Sequence, residues 1–455
     1  MSSENNVDRE FRLSQAKLRK AFEASLNDLN ANHEYQPQLF DLEKKEERIS
    51  FAAFCNNNEI VSFDSTLLNL IKLYTRFNPQ DKALTGENAH ANLRFRKWLK
   101  ENGLVSNEDG PHLLYCLNKL VLPHGLNSKG QMVWDVVSVL PEGMQRKLQE
   151  ASMNKMIDEK TQKALHDDVE LFVLGASVGS NIVASLVPSL GIDHVTILDP
   201  KPQDGVGSSR VANSSTLIHG KSKAIALWHN LLEANPYIKC NAYPVAFSKE
   251  NAGMIFKGTM PQNPNRVRVI IEEFDDLKAK DELRQYVREN FKDQKVLIIS
   301  FADTGITSIG GVIETPEDPP YNGNALNYGK DPYAVSLNPI AKIMKTYGLV
   351  TPSTSNPKPQ DLKIPPELLG SLARLFTGQI ASFEQSGLAS RMTGPVAGQI
   401  LISFLEGTLD VKTININLSK DIDAKWKDRK FVKKVHKAVR QLQKKLDIKK
   451  TRRKM

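Results

Sequence analysis

Cysteine is scarce in this 455-residue chain. Cys55, Cys116 and Cys240 stand far apart, and no CxxC pair occurs. Three such residues exclude a disulfide framework and a cysteine-rich zinc site. Long apolar runs are missing as well. A segment such as Val296–Ser300, behind Lys295, is far shorter than the roughly 20 residues that a membrane-spanning helix requires. The opening MSSENNVDREFR is polar and charged, without the apolar stretch of a secretory signal. These absences lead us to expect a protein of a reducing, cytoplasmic compartment with no transmembrane segment.

The remaining composition is that of a globular chain. Apolar residues make up 40% and charged residues 25%, enough to bury a core and incompatible with collagen or wholesale disorder. The length suggests two or three domains. The formal net charge of +9 is unevenly placed. Residues 425–455 hold 15 Lys and Arg against Asp428 and Asp447, while the other 424 residues carry 46 basic and 50 acidic side chains. The basicity therefore belongs to a tail, and the body has no general attraction for polyanions.

Apolar spacing predicts a helix from Arg9 to about Asn30, then short helices over Leu67–Tyr74, Leu93–Leu99 and Leu113–Leu122. Ser138–Leu165 reads as a polar helical connector. We thus expect residues 1–150 to form a mainly helical region without a chemical motif. The pattern then changes. VELFVL (Val169–Leu174) is a short buried strand, Gly175 opens a tight turn, and Ile182–Leu190 is an apolar helix. VTIL (Val195–Leu198) is again a strand, Ala224–Ala234 a helix stopped by Asn235-Pro236, and Val267–Ile271 and Val296–Ser300 are strands around the charged helix Leu277–Glu289. Strands alternating with helices at this spacing predict an α/β fold, a doubly wound, mostly parallel Rossmann-like sheet. Residues 351–366 are Pro-rich and read as a loop. Val432, Val435, Val439, Leu442 and Leu446 form one stripe of a basic amphipathic helix in the tail. That helix suits docking by its stripe, with an outer basic face for an acidic partner.

The segment VLGASVGSN admits three chemistries. Gly175 and Gly179 would let backbone N–H groups at a helix start approach a phosphate. Gly175-Ala-Ser177-Val-Gly179 also satisfies the GxSxG nucleophile elbow, which needs a later acid and histidine. Of the histidines that follow, His194, His219 and His229 come early for a triad and His436 lies in the tail. The third option is a plain turn that packs helix on strand. Asp199 ends the next strand 24 residues after Gly175, where a carboxylate can hold a ribose. Arg210 and Lys223 follow at the same edge of such a sheet, where two cations can neutralise a triphosphate. The next strand ends in Glu272, Glu273, Asp275 and Asp276 (VIIEEFDD), and an acidic cluster there suits Mg²⁺.

Taken together, VLGASVGS, ILDPK, GSSR, GKSK, EANP and EEFDD resemble the ThiF/MoeB and ubiquitin-activating-enzyme superfamily of adenylating enzymes. The resemblance spans about residues 151–410, including GPVAGQILISFLEG at 394–407, which looks like that family's late helix beneath the nucleotide. It is similar to a bacterial ThiF-like branch with a GxSVG turn. The resemblance implies ATP and Mg²⁺ as cofactors and a carboxylate substrate on a peptide or ubiquitin-like protein. It implies Asp199 on the ribose, Arg210 and Lys223 on the triphosphate, and Asp275 on the metal. Lys155 would be the finger donated across a homodimer. The sequence departs from the family at Lys201, Gly207 and Lys155, where an aspartate, an asparagine and an arginine are usual. With no cysteine after Cys240, an in-chain thioester is not expected. A Rossmann protein that binds nucleotide or NAD(P), and a hydrolase using Ser177, are the competing readings. The domains expected are 1–150, 151–410 and a basic tail over 411–455.

Overall fold

The computed structural model describes residues 38–63, 92–101, 118–146, 156–203, 210–212, 220, 222–323 and 386–418. Short breaks fall inside the first and third of these stretches, and scattered residues are described over 71–84 and 428–437. The chain divides into two compact units, Met1–Ser152 and Met153–Met455.

Among its described residues the N-terminal unit holds a four-stranded sheet that the helical spacing did not announce. Its strands β1 (Gln38–Phe40), β2 (Glu59–Phe63), β3 (Asn118–Leu126) and β4 (Met132–Val139) form one sheet in the order β1-β3-β4-β2. The helix expected over Leu113–Leu122 gives way to β3, and Ser138 belongs to β4 rather than to a helical connector. The reason is visible in MVWDVVSV, whose β-branched residues suit a pleated strand better than a helix. Pro123 is accommodated at a register shift, beyond the residues that β1 pairs. Helix α1 (Lys45–Asn57) supplies Phe51 and Phe54, which pack with Phe40, Val121, Trp134 and Val136. Helix α2 spans Leu93–Glu101, as its apolar spacing predicts. The helix expected from Arg9 to Asn30 lies outside the described residues.

The C-terminal unit is the doubly wound α/β fold. Strands β5 (Val169–Leu174), β6 (His194–Leu198), β7 (Lys239–Tyr243), β8 (Val267–Glu272) and β9 (Lys295–Gly305) are parallel. Strands β10 (Ser308–Glu314) and β11 (Thr413–Asn417) add antiparallel, giving the order β11-β10-β9-β8-β5-β6-β7. β11 places Thr413–Asn417, the first residues of the expected tail, at the edge of the sheet. Helices α3 (Glu159–Asp167), α4 (Val178–Leu190), α5 (Lys223–Ala234) and α8 (Gly387–Leu405) contribute to one apolar layer with Leu171, Val173, Val269 and Ile271. Helices α6 (Lys249–Lys257) and α7 (Leu277–Asn290) cover the other, with Phe172, Leu174, Ile270 and Ile298. Burial on both faces is why VELFVL is apolar without strict alternation. No helix among the described residues is long and apolar enough to cross a membrane. In the tail, Val432 is buried while Lys430, Lys433, Lys434 and Lys437 are exposed. The other stripe residues lie outside the described set.

A buried ionic network ties β8, β10 and α7 together. Arg284 Nη1 donates to Glu272 Oε2 at 2.8 Å and its Nε to Glu314 Oε2 at 2.7 Å. Lys280 pairs with the second oxygen of Glu272, and Ser300 Oγ lies 3.1 Å from Oε2. The guanidinium stacks 3.7 Å over the Tyr321 ring, whose backbone N–H donates to Glu314 Oε1 at 2.6 Å. Burial alone would lower the Arg284 pKa, but the two carboxylates outweigh it and hold it above the ordinary value. Removing Arg284 leaves the fully buried carboxylates of Glu272 and Glu314 with only Lys280 and the more distant Arg288 for cations. Arg284→Ala should therefore lose about 3–5 kcal/mol of stability in urea denaturation. A loss below about 1 kcal/mol would show that the network is dispensable.

Candidate active site

The strand order reverses at β5. The chain passes from β5 to β6 and β7 on one side, then crosses back to β8 on the other. In open α/β sheets the crevice at the carboxyl ends of such strands is where ligands bind. The turn after β5 sits in that crevice. Gly175 has φ +109°, and a Cβ there would fall 2.6 Å from the carbonyl carbon and oxygen of Glu273. Its N–H donates to Leu198 O at 2.8 Å, and Glu273 N–H donates to Leu174 O at 2.8 Å. At Gly179 a Cβ would meet Val173 Cγ1 at 2.8 Å, so α4 rests directly on β5. The first turn of α4 therefore opens toward the crevice with its N–H groups and dipole.

Asp199 is 5% exposed and directly joins the turn to the end of β6. Its Oδ2 accepts from Ala176 N–H and its Oδ1 from Lys201 N–H, both at 2.8 Å. Burial raises its pKa, while the two backbone bonds and the charges of Lys223 and Lys201 oppose the rise. Lys223, the first residue of α5, is 7% exposed and has no carboxylate partner among the described residues. Arg210 is held by its backbone. Its carbonyl accepts from Asn181 Nδ2 and, at 3.2 Å, from Ser390 Oγ of α8, and Ala212 N–H donates to Ser180 Oγ at 2.8 Å. Ser180, Asn181 and Ser390 are site residues that the sequence reading missed. Ser180-Asn181 directly after GASVG was the available signal.

The four acidic residues expected beside the metal divide into separate roles. Glu272 is committed to Arg284 and Lys280. Asp276 caps α7 by accepting from Lys278 N–H and Ala279 N–H. Asp275 is 85% exposed and pairs with Lys201 at 3.4 Å. Glu273 Oε1 accepts from Phe301 N–H at 2.8 Å, and burial raises its pKa well above the ordinary value. The sequence also hid Asp303, near the end of β9 and on the same strand face as Phe301. Both of its oxygens are buried without a hydrogen-bond partner among the described residues. Burial pushes its carboxyl up to about 7, against the pull of Arg210. Among the described residues, no group of three or more His, Cys, Asp or Glu side chains is arranged to hold a metal by itself. A cation here would share its ligands with phosphate oxygens, as Mg²⁺ does.

Ser177 heads α4, and its Oγ is buried with no hydrogen-bond partner among the described residues, so no described histidine activates it. His194 begins β6 at the opposite end of the strands and contacts Thr259. His219 and His436 lie outside the described residues, as does Lys155. Cys240, on β7, is a free thiol whose pKa burial drives well up, which disfavours the reactive thiolate.

The chain matches no protein-family profile and no curated protein. It is similar in fold to several solved structures. E. coli MccB is 12% identical, with 56% of this chain and 61% of that one covered and a TM-score of 0.37. PaaA is 11% identical over 61% of this chain and 80% of that chain, with a TM-score of 0.39. The E. coli tRNA N6-threonylcarbamoyladenosine dehydratase TcdA is 15% identical over 57% and 95%, with a TM-score of 0.36. The chain thus spans about three fifths of MccB.

Two outcomes follow from this geometry. Gly175→Ala forces a side chain into the Glu273 backbone at a positive φ, and should destabilise the unit by about 1–3 kcal/mol. A melting temperature unchanged from wild type would contradict the close approach. Asp303 retains its proton up to about pH 7 when folded, whereas an unfolded aspartate loses it near pH 4. Stability should therefore fall as pH rises from about 4 to 7. Asp303→Asn should flatten that fall and raise stability at pH 7.5 by up to a few kcal/mol. Parallel pH profiles for the two proteins would refute the assignment.

Proposed function

We propose that the C-terminal unit binds ATP·Mg²⁺ at the crevice lined by Gly175, Gly179, Asp199, Arg210 and Lys223. It uses ATP to adenylate a carboxylate on a peptide or ubiquitin-like protein, in the manner of ThiF-type activating enzymes. One observation carries the reading. Lys223, a buried cation without an ion-pair partner among the described residues, stands in the field of Asp199 at the end of the sheet where the strand order reverses. A cation buried in that way calls for an anion from outside.

The roles follow from charge. Asp199, fixed by Ala176 and Lys201, presents its remaining lone pairs to the ribose hydroxyls. The N–H groups at the start of α4 and the unpartnered Ser177 hydroxyl donate to phosphate oxygens. A substrate carboxylate oxygen attacks the α-phosphorus, the bond to the bridging oxygen breaks, and pyrophosphate leaves. Lys223 and Arg210 oppose the charge that accumulates on the departing group, so catalysis is chiefly neutralisation and positioning. Mg²⁺, when bound, supplies further neutralisation. Asp275 is the carboxylate assigned to it, and the unpartnered oxygens of Asp303 are also free to accept a cation. Lys155 would complete the phosphate site from the partner subunit of a homodimer. The acyl-adenylate is consumed without an in-chain thioester, since burial keeps the Cys240 thiol protonated.

The test is a melting curve with ATP·Mg²⁺, with NAD and with neither, followed by ATP–pyrophosphate exchange. ATP·Mg²⁺ at a hundredfold excess over its Kd should stabilise the fold by about 2.7 kcal/mol. Lys223→Ala should weaken that response at least tenfold, Ser177→Ala should weaken it only severalfold through the loss of one donor, and the wild type should stay unlabelled by a fluorophosphonate. A response to NAD alone would replace adenylation with redox chemistry. Stoichiometric labelling of Ser177 in the wild type would promote the hydrolase.

A further inference from the structure

The opposite end of the same strands carries a second polar cavity that adenylation does not use. Its volume is about 690 Å³, and Arg266, Arg268, Lys295, Asp293, Gln262 and Gln294 are among its lining residues. These residues flank the starts of β8 and β9, whereas Gly175 and Glu273 lie at the strand ends. A strand of six residues separates the two ends by roughly 20 Å.

The two arginines are placed differently. Arg266 is paired with Glu170, which also accepts from Thr259 N–H at 2.6 Å and Met260 N–H at 3.1 Å. That group is neutralised from within. Arg268 is not. It points to the α7 side of the sheet, where its guanidinium lies 4.5 Å over the Phe291 ring and donates only to the neutral amide of Gln294. No carboxylate pairs with it among the described residues, its Nε has no acceptor, and burial lowers its pKa. Lys295 stands beside it, exposed and likewise unpaired. Asp293, on the rim, is the one lining carboxylate, so the cations prevail. A half-desolvated guanidinium facing a cavity, with an aromatic plate on one side and amide donors around it, suits a planar or tetrahedral oxyanion.

We propose that this cavity is an oxyanion-binding site, held by Arg268 and Lys295, that takes a phosphate or carboxylate group independently of the nucleotide crevice. The two anion types share the chemistry of charge-assisted N–H···O bonds, and the assay separates them. The full-length protein is titrated with inorganic phosphate and, separately, with acetate. Binding is followed by phosphorus-31 line broadening for phosphate and by melting temperature for both. Phosphate saturation with stabilisation marks a phosphate site, and a response to acetate alone marks a carboxylate site. Arg268→Gln should weaken binding of the responding anion at least tenfold. Lys295→Gln, on an exposed residue whose loss leaves folding intact, should weaken it severalfold. Lys223→Ala should leave the effect of Lys295→Gln unchanged. The proposal is overturned if neither anion binds, or if binding disappears with Lys223→Ala and survives Lys295→Gln.

Discussion

How closely the turn after β5 approaches the end of β8 governs the rest of the C-terminal unit. With Gly175 backed against the Glu273 carbonyl, no side chain intervenes between the two strand ends. That approach brings the first turn of α4, the Asp199 carboxylate and the residues after β8 to one crevice. It also requires β8 to end at a fixed place. The buried network of Glu272, Arg284, Glu314 and Lys280 supplies that anchor one residue before Glu273, from the other face of the sheet. Structural charge and site charge thus alternate along the same stretch. Even-numbered Glu272 faces α7, and odd-numbered Glu273 faces α4, as strand geometry demands.

This alternation explains what was legible in the sequence and what was not. The parallel core was readable because β5, β6 and β8 are apolar runs bounded by turns and charges. Gly175, Asp199 and Lys223 stood out because the first two directly follow strands and the third opens a helix. The acidic run Glu272–Asp276 could not be resolved by spacing alone. Its four carboxylates go to a buried network, a crevice, a surface pair with Lys201 and a helix cap. Which applies depends on strand face and helix start, and a short polar cluster does not reveal them.

Asp303 was missed for a related reason. It sits where β9 outlasts its parallel neighbour and continues beside β10, and the charge that acts on it, Arg210, comes from far away in the chain. The strands β7, β10 and β11 were equally opaque. KCNAY and TININ have weak apolar character and take their conformation from the sheet they join. In the N-terminal unit the helical spacing around Leu113–Leu122 lost to the antiparallel pairing of β3 with the next strand, β4. Pairing of that kind is set by the partner strand and leaves little trace in local periodicity.

The unit holds two kinds of buried charge, and the difference between them carries the functional argument. Around Arg284 every carboxylate has a cation and the arrangement is complete without a ligand. At the crevice it is not. Among the described residues Lys223 forms no ion pair, Ser177 Oγ has no partner, and Asp303 carries two unpartnered oxygens. Groups left in that state each cost about 1–3 kcal/mol when nothing answers them. A fold tolerates such a cost where a bound molecule removes it, and a phosphate chain with its cation has the needed pattern of acceptors and positive charge. The same reasoning separates Arg266 from Arg268 at the far end of the strands. One guanidinium is neutralised by Glu170, and the other faces a cavity with an amide and a ring, and no carboxylate among the described residues, beside it.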